Sequence, residues 1–109
     1  MMTQPPDTVV LPQTTFVVAS ESELERPYRV IIENDDVTPM DFVILVLTMV
    51  FALDMQAAVD VMLIAHHHGE AVVAVLPYQE ASDKVYRAHD MAGQNGFPLR
   101  FYLEPAESA

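Results

Sequence analysis

The sequence predicts an α+β fold, a three-stranded antiparallel sheet covered by three helices in the order β-α-α-β-α-β. Two observations carry this expectation. Three short apolar runs (Tyr28–Glu33, Ala71–Leu76 and Leu99–Leu103) have the length and the Val, Ile, Phe and Tyr content of strands. The stretches between them repeat apolar residues at helical spacing, so helices gather on one face of a small sheet. The chain of 109 residues suits one domain with a core that needs no covalent staples.

Residues 1–27 read as an extended arm. Pro5, Pro6, Pro12 and Pro27, among scattered Thr, Ser and Glu, interrupt any regular period. Phe16-Val17-Val18 is the exception, suited to transient docking or to a short edge strand. Fully stretched, such an arm reaches on the order of 90 Å. The folded domain spans 28–104. Its first strand, Tyr28–Glu33, is apolar on both faces, as a central strand is. Asn34, Asp35 and Asp36 follow on a short connection. Thr38 is then expected to cap a helix, with Pro39 at the first helical position and Asp41 as the reciprocal half of a capping box.

That first helix is expected from Pro39 to Ala52, burying Phe42, Val43, Val46, Leu47, Val50 and Phe51. Ile44, Leu45 and Met49 fall off this stripe; either another element covers them or they form an apolar patch for a partner. Asp54 caps a second helix that runs to His68 and stops at Gly69. Ala58, Val59, Met62, Leu63 and His66 follow helical spacing, and Met62, Ala65 and His66 share a face beside the core. Ala71–Leu76 forms the second strand, apolar on both sides and closed by Pro77. A third helix, Tyr78 to Gln94, turns Ala81, Val85, Ala88 and Ala92 inward and ends at Asn95-Gly96. After the last strand, 105–109 is a short polar tail.

Charge and composition narrow the function. Sixteen acidic against five basic residues give a formal charge of −11, which disfavours nucleic acids and anionic membranes and favours cationic ligands or basic protein surfaces. The absence of cysteine removes disulfides, thiolate zinc sites and a thiol nucleophile. The longest apolar run, Phe42–Leu53, rises only about 18 Å as a helix, too short for a hydrocarbon core of roughly 30 Å. The first residues lack the basic and apolar segments of a secretory leader, so a cytoplasmic protein is expected.

Chemistry concentrates in the connection at Asn34-Asp35-Asp36. Its acceptors either face a ligand or bond their own backbone in a turn. The spacing lacks the pattern of a calcium loop, and no glycine-rich phosphate loop or nucleophile elbow occurs. His66, His67 and His68 point about 100° apart in a helix and do not converge on one metal. No metal and no cofactor are expected. What remains is a polar rim beside an apolar helix face, suited to an ammonium group next to a hydrophobic side chain.

The run Asn34-Asp35-Asp36-Val37-Thr38-Pro39-Met40, with Phe42-Val43, Met62-Leu63, His66, Gly69, Lys84-Val85 and Pro98-Leu99 at these separations, resembles the ClpS family of bacterial N-end-rule adaptors. The resemblance spans roughly residues 28–104. It implies a non-catalytic protein that binds substrates whose first residue is Leu, Phe, Tyr or Trp. Such proteins are handed to the N-terminal domain of the AAA+ unfoldase ClpA or ClpC, which feeds the protease ClpP. By this resemblance Asn34, Asp35 and His66 hold the substrate's α-amino group. Asp36, Thr38, Met40, Val43, Met62, Ala65 and Leu99 shape and line the side-chain pocket, and Gln79, Glu80 and Lys84 face the unfoldase. The resemblance also implies delivery by a flexible arm.

This sequence departs from the family's usual pattern in several places. Ala65 stands where a larger aliphatic residue is usual, and Glu33 where an apolar one is. Gln79 replaces a frequent Glu, with Glu80 beside it as a substitute, and Val37 replaces a common Tyr. The apolar Ile44, Leu45 and Met49 suggest weak self-association of an otherwise monomeric protein, or an additional partner. Two other readings are a modulator of the unfoldase without N-terminal-residue specificity and a small metal-dependent enzyme using Asp35, Asp36 and His66.

Overall fold

The computed structural model describes residues 21–106, so most of the expected arm, including Phe16-Val17-Val18, lies outside the described residues. The described end of the arm contains one helical turn, α1 (Glu21–Leu24). It is followed by β1 (Pro27–Glu33), α2 (Met40–Met49), α3 (Met55–His68), β2 (Glu70–Pro77), α4 (Tyr78–Gln94) and β3 (Arg100–Pro105).

The strands form an antiparallel sheet in the order β2-β1-β3, so β1 is central as its apolar sequence predicts. Side chains alternate along β1. Val30 and Ile32 point into the core shared with the helices, whereas Arg29, Ile31 and Glu33 face the other side. Ile31 is 3 % exposed even there, because Val72 and Tyr102 stand opposite it on the two neighbouring strands. The helices cover one face only, so β2 is not buried on both sides: Val72 and Val75 are exposed while Ala71 and Val73 are buried. Pro77 completes β2 and does not precede its end, consistent with an edge position where a missing N–H breaks no ladder.

Helix α2 is shorter than the apolar run suggests. Its regular part stops at Met49, and Ala52 takes a left-handed φ of 58°, a conformation disfavoured by about 1–2 kcal/mol outside glycine. Leu53 N–H reaches back to the Leu47 carbonyl, and the Lys84 ammonium, carried by α4, bonds the Val50 carbonyl at 3.0 Å. A cation at the negative end of α2 both fills an open acceptor and ties α4 to that helix. The stripe Phe42, Val43, Val46 and Leu47 is buried as its spacing predicts, with Val50 and Phe51 continuing it past the helix end. Ile44 packs against the core, while Leu45 and Met49 remain exposed.

Asp54 caps α3 as expected, its Oδ1 accepting the Ala57 N–H at 2.8 Å, and Gly69 ends that helix with φ of 92°. The inward face of α3 is rotated from the expected one. Ala58, Met62 and Ala65 are buried, Leu63 and His66 exposed, because α3 packs against both α2 and β2 and the stripe follows that groove. On α4, Ala81, Ala88 and Ala92 are buried, and these small side chains let the helix lie close to the sheet.

His89 on α4 accepts the Phe101 N–H through Nε2 at 2.9 Å, which requires that nitrogen to be unprotonated. Burial, aided by the Arg100 guanidinium, lowers its pKa from the ordinary 6.5. The unfolded chain therefore takes up this proton first as pH falls. The stabilising contribution is complete above pH 6.5 and is lost as pH drops below it toward the folded value. Urea denaturation between pH 7.5 and pH 5 is expected to give a falling midpoint for the wild type and a flatter profile for His89→Ala. At pH 7.5 that variant, with the Phe101 N–H left unpaired, is expected to be less stable by about 1–3 kcal/mol.

Candidate functional site

The connection from β1 to α2 is built around one carboxylate. Asn34 N–H donates to the Gly69 carbonyl at 2.9 Å, prolonging the pairing of β1 with β2 by one bond. The chain then wraps around Asp35. Its Oδ1 accepts the backbone N–H groups of Val37 at 2.8 Å and Thr38 at 2.6 Å, and its Oδ2 accepts the Thr38 hydroxyl at 2.9 Å. Burial alone would raise the Asp35 pKa, but the bonds from Thr38 and Val37 outweigh it and hold the group below its ordinary 3.8.

This arrangement corrects the expected helix start. The Thr38 hydroxyl is spent on Asp35 and does not cap. Pro39 is the residue before the helix, extended at φ −64° and ψ 146°, and no side chain caps it. The Pro39 carbonyl accepts from both Phe42 and Val43 N–H at 3.1 Å. Asp41 stays in the first turn, where its charge favours the positive end of the helix, without forming a reciprocal bond among the described residues. Of the two readings of the connection, Asp35 takes the turn-building one, whereas Asn34 and Asp36 are exposed.

The end of β1, the loop, the start of α2 and the end of α3 enclose an open-mouthed cavity of about 160 Å³. Glu33, Asn34, Asp35, Asp36 and His66 line it with polar groups, while Ile32, Val43, Met62 and Ala65 supply buried apolar wall. Thr38 and Met40 complete it, and Met40 is half exposed. A cavity of roughly 150 Å³ with apolar walls accepts benzene, so this volume accommodates a phenyl ring or a branched aliphatic group. The arrangement offers hydrogen-bond acceptors to a cationic head and dry surface to a hydrophobic side chain. It holds no nucleophile paired with a base, and no group of three potential metal ligands occurs among the described residues.

Nine of the expected site residues thus converge: Asn34, Asp35, Asp36, Thr38, Met40, Val43, Met62, Ala65 and His66. Leu99 does not line the cavity. It precedes β3 beside α4, where it is 4 % exposed in the core and borders a separate groove with His89 and Phe97. Ile32 is a wall residue that sequence reasoning missed, since an apolar side chain in a central strand carries no signal beyond burial. Gln79, Glu80 and Lys84 lie together on the first turns of α4, away from the cavity wall. Gln79 donates to Asp83 at 3.0 Å, and Glu80 stands 3.9 Å from Lys84.

Fold and cavity together define a small α+β module with an acceptor-lined, apolar-walled cavity at the end of its central strand. The family model for the ATP-dependent Clp protease adaptor protein ClpS matches residues 23–102. The ATP-dependent Clp protease adapter protein ClpS of Shewanella pealeana is 46 % identical over 88 residues, covering 79 % of this chain and 86 % of that protein. The adapter ClpS 2 of Rhodopseudomonas palustris is 41 % identical over 95 residues, covering 85 % and 87 %. Among solved structures, Agrobacterium tumefaciens ClpS2 bound to L-phenylalaninamide superposes with a TM-score of 0.71 at 41 % identity, covering 74 % of this chain and 98 % of that one. The chain belongs to the ClpS family of Clp protease adaptors, which are not enzymes.

Because Asp35 organises the loop, its substitution is expected to cost stability as well as any binding. Asp35→Ala, which removes the acceptor for two backbone N–H groups, should lower the unfolding free energy by about 1–2 kcal/mol, the scale of a lost helix cap. Thr38→Val removes only the hydroxyl bond and should cost less. The Asp35 contribution is present above pH 3.8 and is lost as pH falls through the depressed folded pKa, so the difference between wild type and Asp35→Ala should shrink in acid.

Proposed function

We propose that this chain binds proteins bearing a bulky hydrophobic first residue (Leu, Phe, Tyr or Trp) through a free α-amino group and the side chain together. It then delivers them to a ClpA- or ClpC-type unfoldase for degradation by ClpP. The observation that carries this reading is the single cavity that joins an acceptor-rich mouth to an apolar interior. An α-amino group has a pKa of about 7.7–8.0 and is largely protonated at neutral pH. Asp35, ionised and accepting three bonds from its loop, keeps roughly one of its four acceptor positions for such a cation. The exposed Asn34 and His66 flank it as further partners. The L-phenylalaninamide bound to the Agrobacterium tumefaciens relative combines a free amino group with a benzyl side chain, the ligand chemistry this cavity suits.

Met40, half exposed at the cavity, disfavours β-branched first residues, while Val43, Met62 and Ala65 supply its buried wall. The small Ala65 leaves room for a ring. The unfoldase contact falls on the α4 surface of Gln79, Glu80 and Lys84. Lys84 already holds the Val50 carbonyl, so Gln79 and Glu80 are the more accessible of the three. This role belongs to the cytoplasm and involves no nucleic acid or membrane. No helix among the described residues is long and apolar enough to cross a membrane.

Isothermal titration with short peptides tests this reading. Peptides beginning with Phe, Trp or Leu are expected to bind the wild type, and N-acetylation to abolish binding. Asn34→Ala and His66→Ala should each weaken binding about tenfold, the scale of one charge-assisted hydrogen bond. Unchanged affinity after acetylation would sink the assignment. Ala65→Val should penalise Phe and Trp more than Leu, by about tenfold or more, because added methyl groups fill the space a ring needs. A wild type that binds Leu far better than Phe or Trp would contradict the role given to Ala65.

A further inference from the structure

We propose that Thr14-Thr15-Phe16-Val17-Val18, in the arm ahead of the domain, docks along the free edge of β2 as a fourth strand. The inference does not depend on the binding reading above. In the order β2-β1-β3, the far edge of β2 has no neighbour among the described residues. The strand there reads Glu70-Ala71-Val72-Val73-Ala74-Val75-Leu76-Pro77, charged only at its first residue. Its Val72 and Val75 are 48 % and 55 % exposed. A long apolar edge is a template for a further strand, and natural proteins break it with charges, cover it or pair it. On β2 the only irregularity is at Val73, which the pairing with β1 skips. The opposite edge is already blunted, because β3 carries Arg100 and Glu104 and ends at Pro105.

The path of the chain selects the occupant. Pro27 stands opposite Pro77, and the Arg26 carbonyl accepts the Tyr78 N–H at 2.9 Å. Helix α1 packs against α4, and Glu23, Arg26, Tyr28 and Tyr78 border one groove. The residues ahead of β1 therefore cross the end of β2, where that strand turns into α4. On the other side of β1 the C-terminal end closes the sheet, with Ala106 N–H donating to the Pro27 carbonyl at 3.0 Å. Val18 is three residues from the start of α1, about 10 Å of extended chain, so the run lies within reach of the β2 edge. Thr, Phe and Val are strand formers, and the run is uncharged like the edge it meets. Approaching from the Pro77 end, it lies parallel to β2. With Phe16 and Val18 on the outer face, it extends the row that Val72, Ile31 and Tyr102 form across the sheet. Residues 1–13 then depart toward the Glu70 end, where β1 reaches the cavity, with a reach of about 45 Å.

Amide hydrogen exchange on the full chain, resolved by residue, tests this. Val17→Pro removes a ladder N–H from the run without touching the domain, and Val10→Pro places the same change ahead of the run. The β2 amides that do not pair with β1 are expected to exchange about tenfold or more slowly in wild type than in Val17→Pro. Val10→Pro should keep the wild-type protection, and the Val30 and Ile32 amides should be alike in all three proteins. Equal exchange of the β2 edge in wild type and Val17→Pro would overturn the inference. Protection that grows with protein concentration would also overturn it, because a second copy of the chain would then be the strand on that edge.

Discussion

Three bonds to the Asp35 carboxylate hold the rest of the site in place. They bend the chain from the end of β1 into α2 within a few residues, and both ends of that bend are anchored in the core by Ile32 and Val43. A carboxylate is the suitable group because it accepts several bonds at once and gains from each as an ion. The depressed pKa of Asp35 reflects that exchange, in which donors outweigh the cost of partial burial. The same bonds aim Asn34 and Asp36 outward and set Met40 at the mouth of the cavity. Loop folding and presentation of a binding rim are therefore one act of local chemistry.

The cavity itself is a product of packing. Helices α2 and α3 lie on one side of the sheet, and the space between the end of β1 and these two helices is not filled by any side chain long enough to close it. Ala65 is decisive there, because a larger residue at the same buried point would occupy that space. On the other side of the fold small residues do the opposite work. Ala81, Ala88 and Ala92 bring α4 close to the sheet, and Lys84 ties its start to the end of α2.

The face of the sheet away from the helices completes the surroundings of the site. Arg29 pairs with Glu104 at 2.7 Å, and the Tyr102 hydroxyl donates to Glu70. The carboxylates clustered there, with the hydrogen bond to Glu70 as the chief cause, raise the Tyr102 pKa above its ordinary value. Glu33 stands at the junction between this acidic surface and the cavity.

The sequence alone determined the element order, the central position of β1, the Asp54 cap and Gly69 stop of α3, and the inward alanines of α4. Each follows from contacts between near neighbours in the chain or from a period of two or 3.6 residues. Its resemblance to the ClpS family also brought nine residues to notice that the structure gathers around one cavity. The tertiary structure decided that α2 ends at Met49 and that α3 leaves Leu63 exposed while His66 lines the cavity with Met62 and Ala65. It also decided that Leu99 belongs to the core and not to the cavity, and that Ile32 is a wall. The absence of a Thr38 cap has the same origin: Thr38 and Asp35 both carry oxygens able to accept from backbone N–H groups, and which one does so depends on where β1 and α2 are pinned. Short-range patterns specify which residues are apolar and where helices start or stop, but the direction a side chain faces depends on what packs against it from distant parts of the chain.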